Sequence, residues 1–413
     1  MGRCASTFAA AVAALLLCSP ACPAATPTRA LTDDLAFLDP RPGPRALAFD
    51  TAHQAGAQLV RLTLDWSRVA PGGATKPAGF HASDPADPAY SWGYIEDAVR
   101  DANSAGLRVM LMVERAPAWA RGPDPRQLGA FVRAAGRRFS GFYPDPKDNG
   151  DGLRTPGKSL PHVRLWQIWN APNDRARLTA RAAVRRYREI LTAAARAVRR
   201  VADDNVVVGA ATVEGGAISP VRFWRRLGRA PYDIAADDLR NRPVFSRLAA
   251  LRHALRGKPL WLTDVGLDTP PRDPHGASTA AQARFVARAL YRADRARVGV
   301  VAWRGLQDRT SYLTGFPSIA SGLFFNIDND LARDPPKPAY ASFRFPFVVS
   351  GRTAWGIAPM RHLAVEIEKR SGQGWTPIRT VVSARSGEFT SSVRGRGVYR
   401  AVQAGAASPA WRR

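Results

Sequence analysis

From about residue 30 onward, short apolar runs rich in Val, Leu, Ile and Trp alternate with longer segments whose apolar residues recur every three or four positions. Continuous apolar runs bounded by Gly, Pro or Asn predict strands covered on both faces, and the longer spacing predicts amphipathic helices. In chain order, strands are expected at Ala30–Phe37, Leu59–Trp66, Leu107–Val113, the first half of Val163–Asn173, Val206–Val213, Tyr232–Ala236, Pro259–Val265 and Val298–Trp303. Helices are expected at Ala46–Ala57, Trp92–Ala105, Pro125–Ser140, Thr179–Ala202, Val221–Leu227, Phe245–Leu255 and Thr279–Arg295, with Pro338–Val348 closing the series.

Regular alternation implies parallel strands joined by helical crossovers, an α/β chain. Eight such steps suggest a (β/α)8 TIM barrel over residues 26–349, whose active face lies at the C-terminal ends of the strands. A doubly wound sheet is the alternative. It is disfavoured because no strand leads into a Gly-rich phosphate loop, and Gly215-Gly216 lacks the spacing. Past Ser350 the period falls to two, in runs such as Thr353–Ile357, Leu363–Glu368 and Val398–Ala404 separated by Gly-containing turns. This predicts a small antiparallel β-sandwich over residues 350–404, with 405–413 expected to be a disordered tail.

Residues 1–25 have the form of a signal peptide: Arg3, an apolar stretch from Phe8 to Cys18, then small residues for cleavage. The expectation is a secreted, extracellular protein. A lipoprotein alternative at Ala21-Cys22 fits the lipobox pattern poorly. No later stretch is long enough to cross a bilayer, so no stable membrane insertion is expected. Cys4, Cys18 and Cys22 all lie in this leader, which leaves the rest without a disulfide or a cysteine metal site.

The formal charge is +26, carried mostly by arginine. Nucleic acid is a natural partner for such a charge. Here, however, the arginines are dispersed and no RNA- or DNA-binding motif accompanies them. No nucleic-acid function is expected, whereas weak association with anionic cell-surface polymers is. Arg185-Arg186, Arg196, Arg199 and Arg200 read as the solvated face of one helix. Serine-nucleophile and zinc-hydrolase motifs are absent, and neither a metal nor a cofactor is expected.

The candidate chemistry centres on Val163-Arg164-Leu165-Trp166-Gln167-Ile168-Trp169-Asn170-Ala171-Pro172-Asn173. A buried strand here ends in a polar turn around a proline. The run resembles the acid/base strand of retaining glycoside hydrolases of clan A, the superfamily that includes families 5 and 39. Those enzymes read Trp-Asn-Glu-Pro-Asn, and this chain carries Ala171 where they carry the catalytic glutamate. Strand seven, Pro259-Leu260-Trp261-Leu262-Thr263-Asp264-Val265-Gly266, resembles the family's nucleophile strand, with Asp264 in place of glutamate. The end of strand six lacks the family's His-Pro-Tyr. The resemblance covers the barrel and the small β-domain that often follows it.

Retaining hydrolysis needs two carboxyl groups about 5–5.5 Å apart, one the nucleophile and one acid then base. A methyl group at 171 can do neither task. Glu114, in Glu114-Arg115-Ala116-Pro117-Ala118-Trp119, is a candidate substitute acid, with a salt bridge as the competing role; Glu214 is a lesser one. Asp264 is read either as a shortened nucleophile or as a buried ion partner. By the resemblance, Arg61 supports the nucleophile and Asn170 contacts the sugar 2-hydroxyl. Trp303 floors the sugar site in the segment Trp303–Asp308. Trp66, Trp119 and Trp169 are further stacking candidates, against core packing as the alternative; Trp166 and Trp261 are expected in the core. The implied ligand is an oligo- or polysaccharide. The implied activity is retaining hydrolysis of O-glycosidic bonds, weakened or lost, with a non-catalytic carbohydrate-binding protein as the alternative.

Overall fold

The computed structural model describes residues 26–148, 157–178, 182–240, 245–309 and 318–413. Eight parallel strands close into a barrel in sequence order, with the eighth pairing back on the first. They are β1 (Thr28–Thr32), β2 (Leu59–Asp65), β3 (Arg108–Glu114), β4 (Leu165–Ile168), β5 (Val206–Thr212), β6 (Ile234–Arg240), β7 (Leu260–Gly266) and β8 (Val300–Arg304). Around them lie α1 (Asp34–Phe37), α2 (Pro42–Gln54), α3 (Trp66–Val69), α4 (Gly93–Ser104), α5 (Pro125–Arg138), α6 (Ala183–Arg199), α7 (Pro220–Leu227), α8 (Arg247–Ala254), α9 (Thr279–Arg295) and α10 (Pro338–Arg344). The expected (β/α)8 barrel is the observed one.

Strand alternation sorts the side chains. Ala30, Leu59, Met110, Val208, Ala236, Val300 and Ala302 fill the barrel interior. The intervening residues, among them Leu62, Leu111, Trp166, Leu262 and Trp303, join the larger core between strands and helices. Both faces are covered, so β2 is buried at all seven positions.

Several boundaries moved. The expected strand Ala30–Phe37 stops at Thr32, because the Asp33 carboxylate accepts the Ala36 amide at 3.0 Å and caps α1. The expected strand Tyr232–Ala236 starts later and runs on to Arg240, which carries Asp237 and Asp238 into buried positions. The expected start of the longest helix at Thr179 lies outside the described residues, as do the leader and its three cysteines.

After α10, β9 (Phe347–Ser350), β10 (Thr353–Ile357) and β13 (Glu388–Ser392) form one antiparallel sheet. A second sheet contains β11 (Ala364–Ser371), β12 (Gly374–Val382), β14 (Val398–Gln403) and β15 (Ala406–Ala407), with β16 (Trp411–Arg412) pairing to β14. Residues from both sheets share one core that includes Phe347, Val349, Val365, Ile367, Phe389 and Tyr399. The sheet therefore begins at Phe347, before the expected boundary at 350.

The expected disordered tail is corrected: residues 406–407 and 411–412 are strands. The half-buried Trp411 packs against both cores, and its indole Nε1 donates to the Val349 carbonyl at 3.0 Å. Apolar contact on two sides offsets the entropy of fixing a chain end. Among the described residues no helix is long and apolar enough to cross a membrane.

Candidate active site

A polar cavity of about 290 Å³ opens at the C-terminal ends of the barrel strands. Asn170, Ala171, Glu114, Arg61 and Asp264 all line it, so the ends of β2, β3, β4 and β7 converge as the barrel topology requires. Asn170 and Asp264 face one hollow.

The turn after β4 has unusual backbone geometry. Trp169 and Ala171 have φ of 67° and 45°, a region rarely used by non-glycine residues. Two hydrogen bonds hold the turn: the Trp169 amide donates to the Val113 carbonyl at 2.9 Å and the Ala171 amide to the Ala211 carbonyl at 3.0 Å. Asn173 does not enter the cavity lining. Its Nδ2 donates to the carbonyls of Val213 and Ile218 at 2.7 and 2.8 Å, which ties this turn to the loop after β5. Left-handed backbone at two non-glycine residues, held by these hydrogen bonds, marks a constrained turn beside the cavity.

Asp264 is clasped by guanidinium groups. Its Oδ2 accepts from Arg304 Nη1 at 3.1 Å and Arg61 Nη2 at 3.3 Å, with Arg240 Nε at 4.0 Å. Burial alone would raise this carboxyl, but the charges of Arg304, Arg240 and Arg61 hold it below its ordinary value. Its Oδ1 is buried with no hydrogen-bond partner, and Arg61 Nη1 is likewise buried without one. Asp238 beside it is raised, by burial and then by the Asp264 charge. The two carboxylates, with Arg240 between them at 2.8 Å from Asp238, form one coupled unit.

Glu114 lies 3.3 Å from Arg115 Nε and 3.8 Å from Arg177 Nη1. Burial raises its pKa and the two arginines oppose that without overcoming it. It is ion-paired at the cavity wall, with burial and the arginines acting on it in opposite directions. Glu214 also lines the cavity, yet it pairs with Arg247.

The tryptophans expected to stack on a sugar are not in the lining. Trp66 stacks on Phe131 at 5.6 Å and meets Trp119 edge-on at 5.8 Å; Trp119 Nε1 donates to the Pro71 carbonyl at 2.7 Å. Trp303 points away from the barrel interior, with Nε1 donating to the Ser321 carbonyl at 2.8 Å. Trp169 is 6 % exposed, with its Nε1 unpaired. Asp308 is also outside the cavity. It forms a buried ion pair with Lys337 at 2.6 Å, an internal strut between β8 and α10. These four rings and Asp308 therefore stand outside the cavity lining. Arg240, Arg304 and Asp238 were missed by sequence reasoning. The missing signal was strand parity: with Val300 and Ala302 inward, Arg304 must point inward and Trp303 outward.

The cavity lining among the described residues contains no aromatic ring and many charged groups. The described lining can bind by hydrogen bonds and charge. No group of three or more His, Cys, Asp or Glu among the described residues is placed to hold a metal ion.

Fold and site together define an eight-stranded βα barrel carrying a C-terminal β-sandwich, with a charged cavity at the C-terminal ends of the barrel strands. Solved glycoside hydrolases share this fold. A glucosidase from Croceicoccus marinus superposes with a TM-score of 0.56 at 16% identity, covering 87% of this chain and 81% of that one. A family 39 β-xylosidase from Caulobacter crescentus gives 0.55 at 15% identity, covering 83% and 82%. A family 39 enzyme from Xanthomonas axonopodis pv. citri gives 0.55 at 12% identity, covering 89% and 91%. No protein-family model and no curated protein matches the chain.

Proposed function

We propose that this is a secreted glycoside-hydrolase-like protein whose barrel mouth holds an oligo- or polysaccharide, with retaining hydrolysis weak or lost. The observation that carries this reading is Ala171 lining the same cavity as Asp264. The position that would deliver a proton bears a methyl group, and positioned proton transfer contributes about 10²–10⁴-fold. The nucleophile position is also weakened. A carboxylate bound by three guanidiniums, one of its oxygens buried, is a poor electron donor.

Aryl glycosides with activated leaving groups test this, since they need no acid. The expected outcome is slow release from such substrates, negligible turnover of natural disaccharides, and saturable binding of a neutral oligosaccharide. Efficient cleavage of an unactivated disaccharide would refute it. Ala171→Glu is expected to raise turnover of unactivated glycosides by about 10²-fold, provided Asp264 still serves as nucleophile.

A second reading keeps residual hydrolysis, with Glu114 as acid. The upward shift of that carboxyl favours it. Glu114→Gln would then abolish any turnover of natural glycosides and leave activated substrates less affected. Export rests on the leader, and appearance outside the cell of a chain lacking residues 1–25, lost when the coding sequence for those residues is deleted, is its test.

A further inference from the structure

A second feature lies away from the barrel mouth. The exposed face of α9 carries Arg284, Arg288, Arg292 and Arg295. Steps of three or four residues place successive charges about 4.5–6 Å apart along the axis, inside the Debye length of about 8 Å at physiological salt. The opposite face of the helix, including Val286, Leu290 and Ala293, is buried in the core.

Two surface cavities meet along this ridge. One, of about 840 Å³, lies between α8 and α9, where Arg252 and Arg297 join Arg288, Arg292 and Arg295. The other, of about 880 Å³, lies between α9 and the β-sandwich, where Arg370, Arg412 and Arg413 join Arg284 and Arg288. Arg288 lines both, and neither has an aspartate or glutamate in its lining.

On other helices several arginines are paired, although Arg225 and Arg226 on α7 are exposed and make no salt bridge among the described residues. On α6, Arg185 and Arg186 pair with Glu189, and Arg199 with Asp233. On α4, Arg100 pairs with Glu96 and Asp97. No arginine of the α9 groove makes a salt bridge among the described residues. Like charges at this spacing disfavour a helix, and an ordinary solvated face mixes signs. A ridge of one sign with walls of the same sign is complementary to a polyanion.

We infer that the α9 groove binds an anionic polysaccharide, a polymer bearing carboxylates along its length. Arg guanidiniums pair bidentately with such groups. The choice of a saccharide over a nucleic acid rests on the carbohydrate reading of the barrel. It also rests on the lining, where Trp411 and Phe245 or Phe285 supply too few exposed rings for base stacking along a strand.

The test is equilibrium binding of the full chain to polygalacturonate, to neutral dextran and to a single-stranded oligonucleotide. Three variants are compared: Arg292→Glu/Arg295→Glu, Arg284→Glu/Arg412→Glu, and an equal charge change on exposed α7 positions, Arg225→Glu/Arg226→Glu. Polygalacturonate is expected to bind with steep salt dependence, each groove variant lowering affinity at least tenfold and the α7 variant changing it less than twofold. Dextran should not bind the groove. Equal losses from all three variants would mean diffuse charge and no site. Tighter oligonucleotide binding, lost in the groove variants, would assign the groove to nucleic acid and overturn the inference, as would no polygalacturonate binding. Unchanged unfolding midpoints and unchanged binding of a neutral oligosaccharide at the barrel mouth separate groove loss from misfolding. If polygalacturonate binds and the neutral oligosaccharide does not, the barrel reading fails while the groove stands.

Discussion

Asp264 shows how one methylene and its neighbours change a residue's role. As an ion partner it neutralises guanidiniums that β2, β6 and β8 bring together in the barrel interior. Removing its charge leaves them facing one another. Asp264→Asn is expected to lose about 3 kcal/mol of folding stability, measured by urea unfolding at neutral pH. The sign with pH follows from its depressed pKa. The Asp264 contribution is full above the ordinary carboxylate value of about 4 and is lost as the pH falls through its lower folded value. The gap between wild type and Asp264→Asn should therefore narrow as the solution is acidified below about pH 4. A gap that stays constant would show that the three arginines do not act through this charge. Asp237 and Asp308 carry the opposite sign. Burial pushes each up to about 6, so their protonated forms favour the fold and that contribution fades between about pH 4 and 6. Carboxyl carbon titration by NMR should place Asp237 and Asp308 above Asp264 by at least two pH units.

At the scale of elements, what the sequence made legible was the strand and its period. Val206–Thr212 and Leu260–Gly266 are apolar runs of strand length, and they became β5 and β7 nearly as read. What it hid was parity. β7 has a register irregularity opposite the Asp237–Asp238 step, and a one-residue slip exchanges the inward and outward faces. On β8 the alternation is unbroken, and it turns Trp303, read as the floor of a sugar site, toward the helices and Arg304 into the cavity. The resemblance grouped Arg61, Asn170, Ala171 and Asp264, which line one cavity, because it supplied positions at strand ends, where periodicity says little. The tail was hidden for another reason: its order depends on Trp411 meeting residues far away in the chain. Trp411→Ala is expected to cost about 2 kcal/mol, less than a fully buried aromatic. Amide exchange should accelerate at β15 and β16, with β14 less affected. Unchanged exchange there would assign the order of the tail to backbone pairing alone.

The whole molecule keeps its charge in two different states. In the barrel mouth, arginine and carboxylate are interleaved at ion-pair distance and much of the field cancels. Along the exposed side of α9 no carboxylate lines either cavity, and the helix's one acidic residue, Asp294, is buried beside Arg295. Binding at the mouth should therefore depend only shallowly on ionic strength, whereas association through α9 should weaken steeply. Isothermal titration of a neutral oligosaccharide at low and physiological salt checks the first half of this contrast. A steep dependence there would mean that the interleaved pairs open on binding.

The position of Arg413 has a practical side. Arg413 is itself part of the wall beside α9, so a segment fused directly behind it begins at that channel. An aspartate-rich purification handle placed there would behave as a tethered inhibitor at high local concentration. A chain labelled in that way would look indifferent to polyanions for reasons unrelated to its own chemistry.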